Sequence, residues 1–292
     1  MSDSGGWIRP EINWFPGHML KARKELSAQL KRVDLVLEVR DARIPQTSII
    51  PDFEDLVRNK RRVVLYNKSR LAEPVLLREW ERRLKEESPV PFLFVDVLEG
   101  RNLKRILPLA RSLMRDRWET FRRKGIRPPE LRMMVVGIPN VGKSTLINRL
   151  VRRRATETGP RPGVTRRQEW ARLDKDVELL DTPGILWPKI ESEEVGMRLA
   201  VTGAIKDAIV GVERLSEFLL LQLRQRRPEA FSRYRISPES LPESASELLT
   251  LVAEARNCLK SGGELDLRRA SELLLDDFRS GQLGPLSLDL LD

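Results

Sequence analysis

Cysteine and histidine are nearly missing from this chain: one of each, Cys258 and His18, in 292 residues. A single cysteine excludes an internal disulfide framework and any metal site built on thiolates, and it fits a reducing compartment. A single histidine means that any imidazole chemistry must come from His18. No apolar run approaches the roughly 20 residues needed to span a bilayer. The opening residues MSDSGGWIRP have neither the apolar core of a signal peptide nor the Arg/Ser-rich look of a transit peptide. The expectation is a cytoplasmic monomer with no membrane partner.

Positive charge is abundant. Lys and Arg number 53 against 43 Asp and Glu, a formal charge of +10. Such an excess suggests an anionic partner larger than a nucleotide. Arginine tracts at Arg61-Arg62, Arg122-Arg123-Lys124, Arg152-Arg153-Arg154 and Arg166-Arg167 favour nucleic acid, although any one tract by itself is more often a solvated surface. Hydrophobic residues make up 40% of the chain, enough for a substantial core, and the length allows two domains.

The densest chemical signal lies at residues 133–145, MMVVGIPNVGKST. An apolar run that reads as a buried strand ends in G-x-x-x-x-G-K-S, from Gly137 to Ser144, and a helix-forming sequence follows. In this pattern backbone N–H groups wrap phosphates, the lysine places its ammonium on the outer phosphates, and the hydroxyl ligates Mg²⁺. Lys143 and Ser144 take those roles, at a helix N-terminus that itself favours anions. Asp181-Thr182-Pro183-Gly184 follows the apolar run Val177–Leu180, so Asp181 sits at a strand end, able to hold Mg²⁺ through water, and the Gly184 N–H can meet a γ-phosphate. Between them, Arg161–Thr165 forms a loop whose Thr165 can close on the metal. The three stretches at this spacing resemble the P-loop GTPases.

Elsewhere, alternation of strands and helices predicts a doubly wound, mostly parallel sheet that binds ligands beyond the carboxyl ends of its strands. Strands are expected at 33–39, 62–66, 90–95, 133–136 and 177–180. Helices are expected from about 18 to 32, briefly before the second strand, and at 74–87, 102–124 and 143–150. After about Ile205 the pattern is helical, with amphipathic stretches at 212–226, 246–260 and 267–279. The expected organisation is an α/β domain over residues 1–204 and a small all-helical domain over 205–292. Asn67-Lys68, in the position of a base-reading loop, precedes the P-loop, whereas an ordinary GTPase has the reverse order. A site assembled from strand ends survives circular permutation when the old termini lie close together.

With these motifs on the page, the chain resembles the circularly permuted P-loop GTPases of the ribosome biogenesis GTPase A group, also called YlqF. The likeness runs through WFPGHMLKA (14–22), RDARIP (40–45), GIPNVGKST (137–145), PGVT (162–165), DTPGILWPK (181–189), LAVTGAIKD (199–207) and GGELDLRRASELLLDDFRSGQLG (262–284). The resemblance implies Mg²⁺-dependent GTP hydrolysis, with GTP and GDP bound by Asn67, Lys68, Asn140, Val141, Gly142, Lys143, Ser144, Thr145 and Gly184. It implies Mg²⁺ held through Ser144, Thr165 and Asp181, and a K⁺ ion supported by Asn140. It also implies assistance to late assembly of the large ribosomal subunit, with docking on ribosomal RNA partly through the helical domain. Many GTPases orient the attacking water with a glutamine just after D-x-x-G, but Ile185 stands here and offers no hydrogen bond. The family's substitute matches His18, so His18, Lys143 and Thr165 are the expected catalytic residues.

Two positions depart from the family, both at the base. Arg70 replaces the carboxylate of N-K-x-D that takes guanine's N1–H and N2–H₂, and Asp96 stands where a serine-containing turn is usual. Two readings follow. One is an active GTPase switch; the other is a ribosome- or RNA-binding scaffold of the same fold with weakened or base-unselective nucleotide binding.

Overall fold

A computed structural model describes residues 24–50, 52–158, 170–180 and 192–291, with the side chains of 152–158 outside that description. Its contacts divide into two compact units. Among the described residues the first contains 25–50, 52–158, 170–180 and 285–291, and the second residue 24 and residues 192–284.

Among the described residues, the first unit holds six strands: β1 (Leu35–Asp41), β2 (Arg61–Asn67), β3 (Phe92–Phe94), β4 (Leu131–Gly137), β5 (Trp170–Asp174) and β6 (Val177–Leu180). Their order in the sheet is β3-β2-β1-β4-β6-β5. β1 pairs in parallel with both β2 and β4, β2 with β3, and β4 with β6. Every residue of β1 is buried, and β4 is buried except at Arg132. Strands covered on both faces read as continuous apolar runs rather than alternating ones, and that is why these two are visible in sequence. The P-loop strand is fourth in the chain yet central in the sheet, as circular permutation requires.

β5 breaks the expected parallel pattern by pairing antiparallel with β6. The connection, Asp174-Lys175-Asp176, is held by Arg111, whose guanidinium reaches Asp174 at 2.5 Å and Asp176 at 2.6 Å.

Helices α1 (24–30, here from residue 25), α2 (Phe53–Val57), α3 (Pro74–Glu87), α4 (Leu103–Arg123) and α5 (Lys143–Thr158) complete this unit. Pro74 at the start of α3 suits a position whose N–H would go unbonded. α4 buries Leu103, Ile106, Ala110, Met114 and Trp118, one stripe at helical spacing, and leaves its basic residues outward. The third strand is shorter than expected from 90–95, beginning after Pro91, which has no N–H to give the ladder.

The last residues return to this unit. Leu286 N–H donates to the Leu71 carbonyl at 2.9 Å and Leu288 N–H to that of Arg43 at 2.8 Å. The Asp289 carboxylate accepts from the backbone of Gln46 and Thr47 and from the Thr47 hydroxyl, at 2.6–2.8 Å.

The second unit contains α6 (Glu193–Val201), α7 (Asp207–Val210), α8 (Val212–Arg226), α9 (Ala245–Ala255) and α10 (Leu267–Ser280). Ser192, Ser244 and Asp266 cap α6, α9 and α10 by accepting backbone N–H bonds, and Gly281 ends α10 in the left-handed conformation. α9 stops at 255, short of the expected 260, where Asn257 has φ +50°. Leu215, Leu219, Leu223, Leu248, Val252, Leu274 and Phe278 form the core. Two stretches of the family likeness meet here: Arg279 binds Asp207 with both terminal nitrogens, at 2.6 and 2.8 Å, and donates to the Ala200 and Val201 carbonyls at the end of α6. Both residues therefore hold the helices to one another.

Candidate nucleotide site

The carboxyl ends of β1, β2 and β4 bring the site together. After β4 the chain turns through residues 138–142 and enters α5 at Lys143. Gly137 has to be glycine because a Cβ there would stand 2.3 Å from the Val39 carbonyl oxygen of β1. Gly142 has φ +101°, and a Cβ would stand 2.4 Å from the Asn67 side-chain nitrogen. Asn140 also adopts the left-handed conformation, at φ +55°, which asparagine tolerates better than most residues. Val141 is buried beneath the turn, while Ser144 and Thr145 are exposed at the first turn of α5.

Asn67 ties three strand ends into one surface. Its side-chain N–H donates to the Val141 carbonyl in the P-loop at 2.8 Å, and its side-chain oxygen accepts from Val97 N–H at 3.0 Å. Its own carbonyl accepts from Ala42 N–H at 2.8 Å. Asn67 is 3% exposed, so losing its side chain would leave the Val141 carbonyl and the Val97 N–H unpaired.

Cations converge beside it. Lys143 is 7% exposed and its ammonium donates to the Ile138 carbonyl at 2.6 Å. Burial, and then the neighbouring Lys68 ammonium, push the Lys143 pKa down to about 8. Lys68, at φ +61°, pairs with Asp41 at 2.9 Å. Arg43 grips the same carboxylate with two side-chain bonds, at 2.8 and 3.0 Å. Burial alone would raise the Asp41 pKa, but Arg43 and Lys68 overcome it and hold the carboxyl below its ordinary range. The RDARIP stretch thus sets the Lys68 side chain beside the phosphate site.

This electrostatics has a measurable consequence. A triphosphate adds negative charge next to Lys143 and favours its ammonium form, so binding above pH 8 must take up a proton. Affinity should fall as pH rises through 8, by about tenfold per unit once the free protein is deprotonated. Calorimetric titration at pH 8.5 in buffers of different ionisation enthalpy reads the uptake directly. Lys143→Arg should abolish it, since a guanidinium does not titrate there. A flat profile in the parent would show Lys143 fully charged throughout.

At the base side, Asp96 is 1% exposed and organises the loop after β3. Its carboxylate accepts from Leu98 N–H and Glu99 N–H at 3.1 Å each and from Arg70 N–H at 3.2 Å. The Arg70 side chain lies 3.6 Å from Asp96 and 3.8 Å from Glu99. Residues 70 and 96, the two departures noted in the sequence, therefore form one ion pair, a relation their separation hid.

Of the expected site residues, Asn67, Lys68, Asn140, Val141, Gly142, Lys143, Ser144 and Thr145 come together around the turn. His18, Thr165, Asp181 and Gly184 lie outside the described residues. Among the described residues no group of three or more His, Cys, Asp or Glu side chains is arranged to hold a metal. The exposed Ser144 hydroxyl at the start of α5 is a hard oxygen donor of the kind Mg²⁺ takes, alongside phosphate oxygens.

Comparison with known proteins agrees with this geometry. Residues 132–235 match the family model described as 50S ribosome-binding GTPase. The chain is 42% identical to ribosome biogenesis GTPase A of Bacillus licheniformis, over 95% of this chain and 98% of that one. It is 35% identical to mitochondrial ribosome-associated GTPase 1 of Mus musculus, over 94% and 89% of the two chains. GNP-bound YlqF from T. maritima superposes with a TM-score of 0.64 at 26% identity, over 92% of this chain and 97% of that one. A sheet with the P-loop strand at its centre but fourth in sequence, together with this likeness along nearly the whole chain, places the protein in the ribosome biogenesis GTPase A family of circularly permuted GTPases.

Proposed function

We propose that this protein is a GTP-hydrolysing switch that assists late assembly of the large ribosomal subunit and docks on its RNA, working in the cytoplasm as a monomer. The observation that carries the reading is the phosphate side of the site. Lys143 is buried, lowered in pKa, bonded among the described residues to the carbonyl of its own loop, and framed by Gly142 and Asn67. A partly desolvated ammonium at a helix N-terminus is costly to keep unless an anion arrives there.

In this reading Lys143 and the backbone of 140–145 hold the phosphates, and Ser144, Thr165 and Asp181 hold Mg²⁺, which neutralises charge on the phosphate oxygens. The Gly184 N–H senses the γ-phosphate, Asn140 supports K⁺, and His18 orients the attacking water. The helical region from 205 onward carries part of the RNA contact. Because the γ-phosphate loop at 181–184 leads directly into the helical unit, nucleotide state should alter subunit binding.

The test is co-sedimentation with large subunits across a salt series. Binding should be tighter with a non-hydrolysable triphosphate than with diphosphate and should weaken steeply with salt. Equal binding in both nucleotide states removes the switch. The Arg70–Asp96 pair would then favour the second reading, a scaffold with base-unselective nucleotide binding.

A further inference from the structure

We infer that the protein has a second polyanion site, at the amino ends of the strands, that holds the phosphate backbone of RNA. A cleft of about 850 Å³ opens there, and seven of its twelve lining residues are Lys or Arg while two are acidic. It is bounded by Val33, just before β1, by Arg61, the first residue of β2, and by Arg132, the second of β4. The P-loop begins at the other end of β4, and seven-residue strands separate the two ends by roughly 20 Å. One ligand of nucleotide size cannot fill both.

Among the described residues only part of the cleft's positive charge is consumed: Arg117 pairs with Asp34, and Arg132 with Glu178 at 3.3 Å. Both acidic residues are already paired, Asp34 with Arg117 at 2.5 Å and Glu130 with Arg172 at 3.3 Å. Lys31, Arg58 and Arg61 are exposed and make no ion pair among the described residues. Other cations are held in place: Lys60 donates to the Val33 carbonyl at 2.9 Å, and the Arg132 guanidinium lies 5.2 Å from the centre of the Trp170 ring. Fixed cations around three free ones suit a ligand whose charges are spread along a chain. An adjoining cleft of about 270 Å³ shares Arg58, Lys60 and Arg61 and lengthens the basic surface.

The lining also selects among anions. Its apolar members are Val33, which is buried, and Pro129, so the lining offers a bilayer one proline ring and no larger apolar side chain. Nor do the described lining residues include a helix N-terminus or glycine-rich turn of the kind that wraps a mononucleotide. Point charges from side chains on separate segments match a polynucleotide backbone, read without sequence preference. The choice of RNA rests on the assembly role proposed above.

The experiment measures binding of a fluorescein-labelled RNA hairpin by full-length parent and by the variant Lys31→Glu/Arg58→Glu/Arg61→Glu, across a salt series. These exposed positions lie away from the nucleotide, so GTP hydrolysis by the free protein should not change. The triple variant should bind at least tenfold more weakly, and its log–log salt slope should shrink by about two to three, one contact per removed cation. The charge-conserving variant Arg58→Lys/Arg61→Lys should keep the parent slope. A parent that binds the hairpin and a triple variant with the same slope would overturn this inference alone. A parent that does not bind RNA overturns the assembly reading with it. Loss of binding to phosphatidylserine vesicles while hairpin binding is kept would assign the cleft to lipid and overturn the RNA site.

Discussion

Replacing His18 with alanine is expected to leave GTP affinity nearly unchanged and to lower subunit-stimulated hydrolysis by about one to three orders of magnitude. The expectation rests on the family resemblance, whose water-orienting histidine in the W-F-P-G-H-M stretch matches His18. Ile185 follows Asp181-Thr182-Pro183-Gly184 where many GTPases place the water-orienting glutamine, and an aliphatic side chain cannot position water. His18 is the chain's only imidazole, and a neutral imidazole both donates and accepts hydrogen bonds. Lys143→Ala should fail differently. Its ammonium is built into the phosphate turn, so triphosphate binding itself should be lost. Single-turnover hydrolysis on saturating subunits, beside equilibrium binding of a non-hydrolysable analogue, separates the two. If His18→Ala turns over like the parent there, His18 is a helix-end residue and water is held by another group.

The phosphate side was legible because its information is local. Gly137, Gly142, Lys143 and Ser144 fall within eight consecutive residues as one recognisable pattern, although the groups that crowd the two glycines, Val39 and Asn67, come from other strands. The parallel strands were legible because burial on both faces leaves unbroken apolar runs. β5 was not, since only Leu173 of its five residues is buried and its pairing depends on a hairpin turn that Arg111 braces from a distant helix. α6 is not among the expected helices: its last three residues fall in the 199–207 motif and 193–198 lie between motifs, although Ser192 and the two acidic residues after it form an ordinary N-terminal signal. Contacts across long separations could not be read at all. Asn67 was expected to touch the nucleotide, yet its side chain also bonds the P-loop 74 residues away. The Asp289 carboxylate fixes a turn 242 residues earlier.

The same limit changes the remedy for the altered base loop. Base discrimination is expected to be weak in the parent, because Arg70 stands where a carboxylate would take guanine's N1–H and N2–H₂, and a guanidinium is donor-only. Leaving two partly buried donors unpaired costs about 1–3 kcal/mol each, so preference for GTP over ATP should fall by a hundredfold or more relative to a carboxylate-bearing site. From sequence, Arg70→Asp is the natural correction. The structure predicts that it works poorly alone, since the new carboxylate would stand beside Asp96, which is 1% exposed and already accepts three backbone N–H bonds. Two carboxylates that close cannot both ionise without cost, and one would take up a proton or turn away. Arg70→Asp/Asp96→Ser removes the conflict, and the serine hydroxyl can still accept from the loop. Competition of GTP, ATP and XTP for a fluorescent nucleotide should show little gain in GTP preference for the single variant and at least a tenfold gain for the double. A parent that already prefers GTP over ATP a thousandfold would show that another group reads the base. A single variant as selective as the double would show that Asp96 does not oppose a carboxylate at position 70.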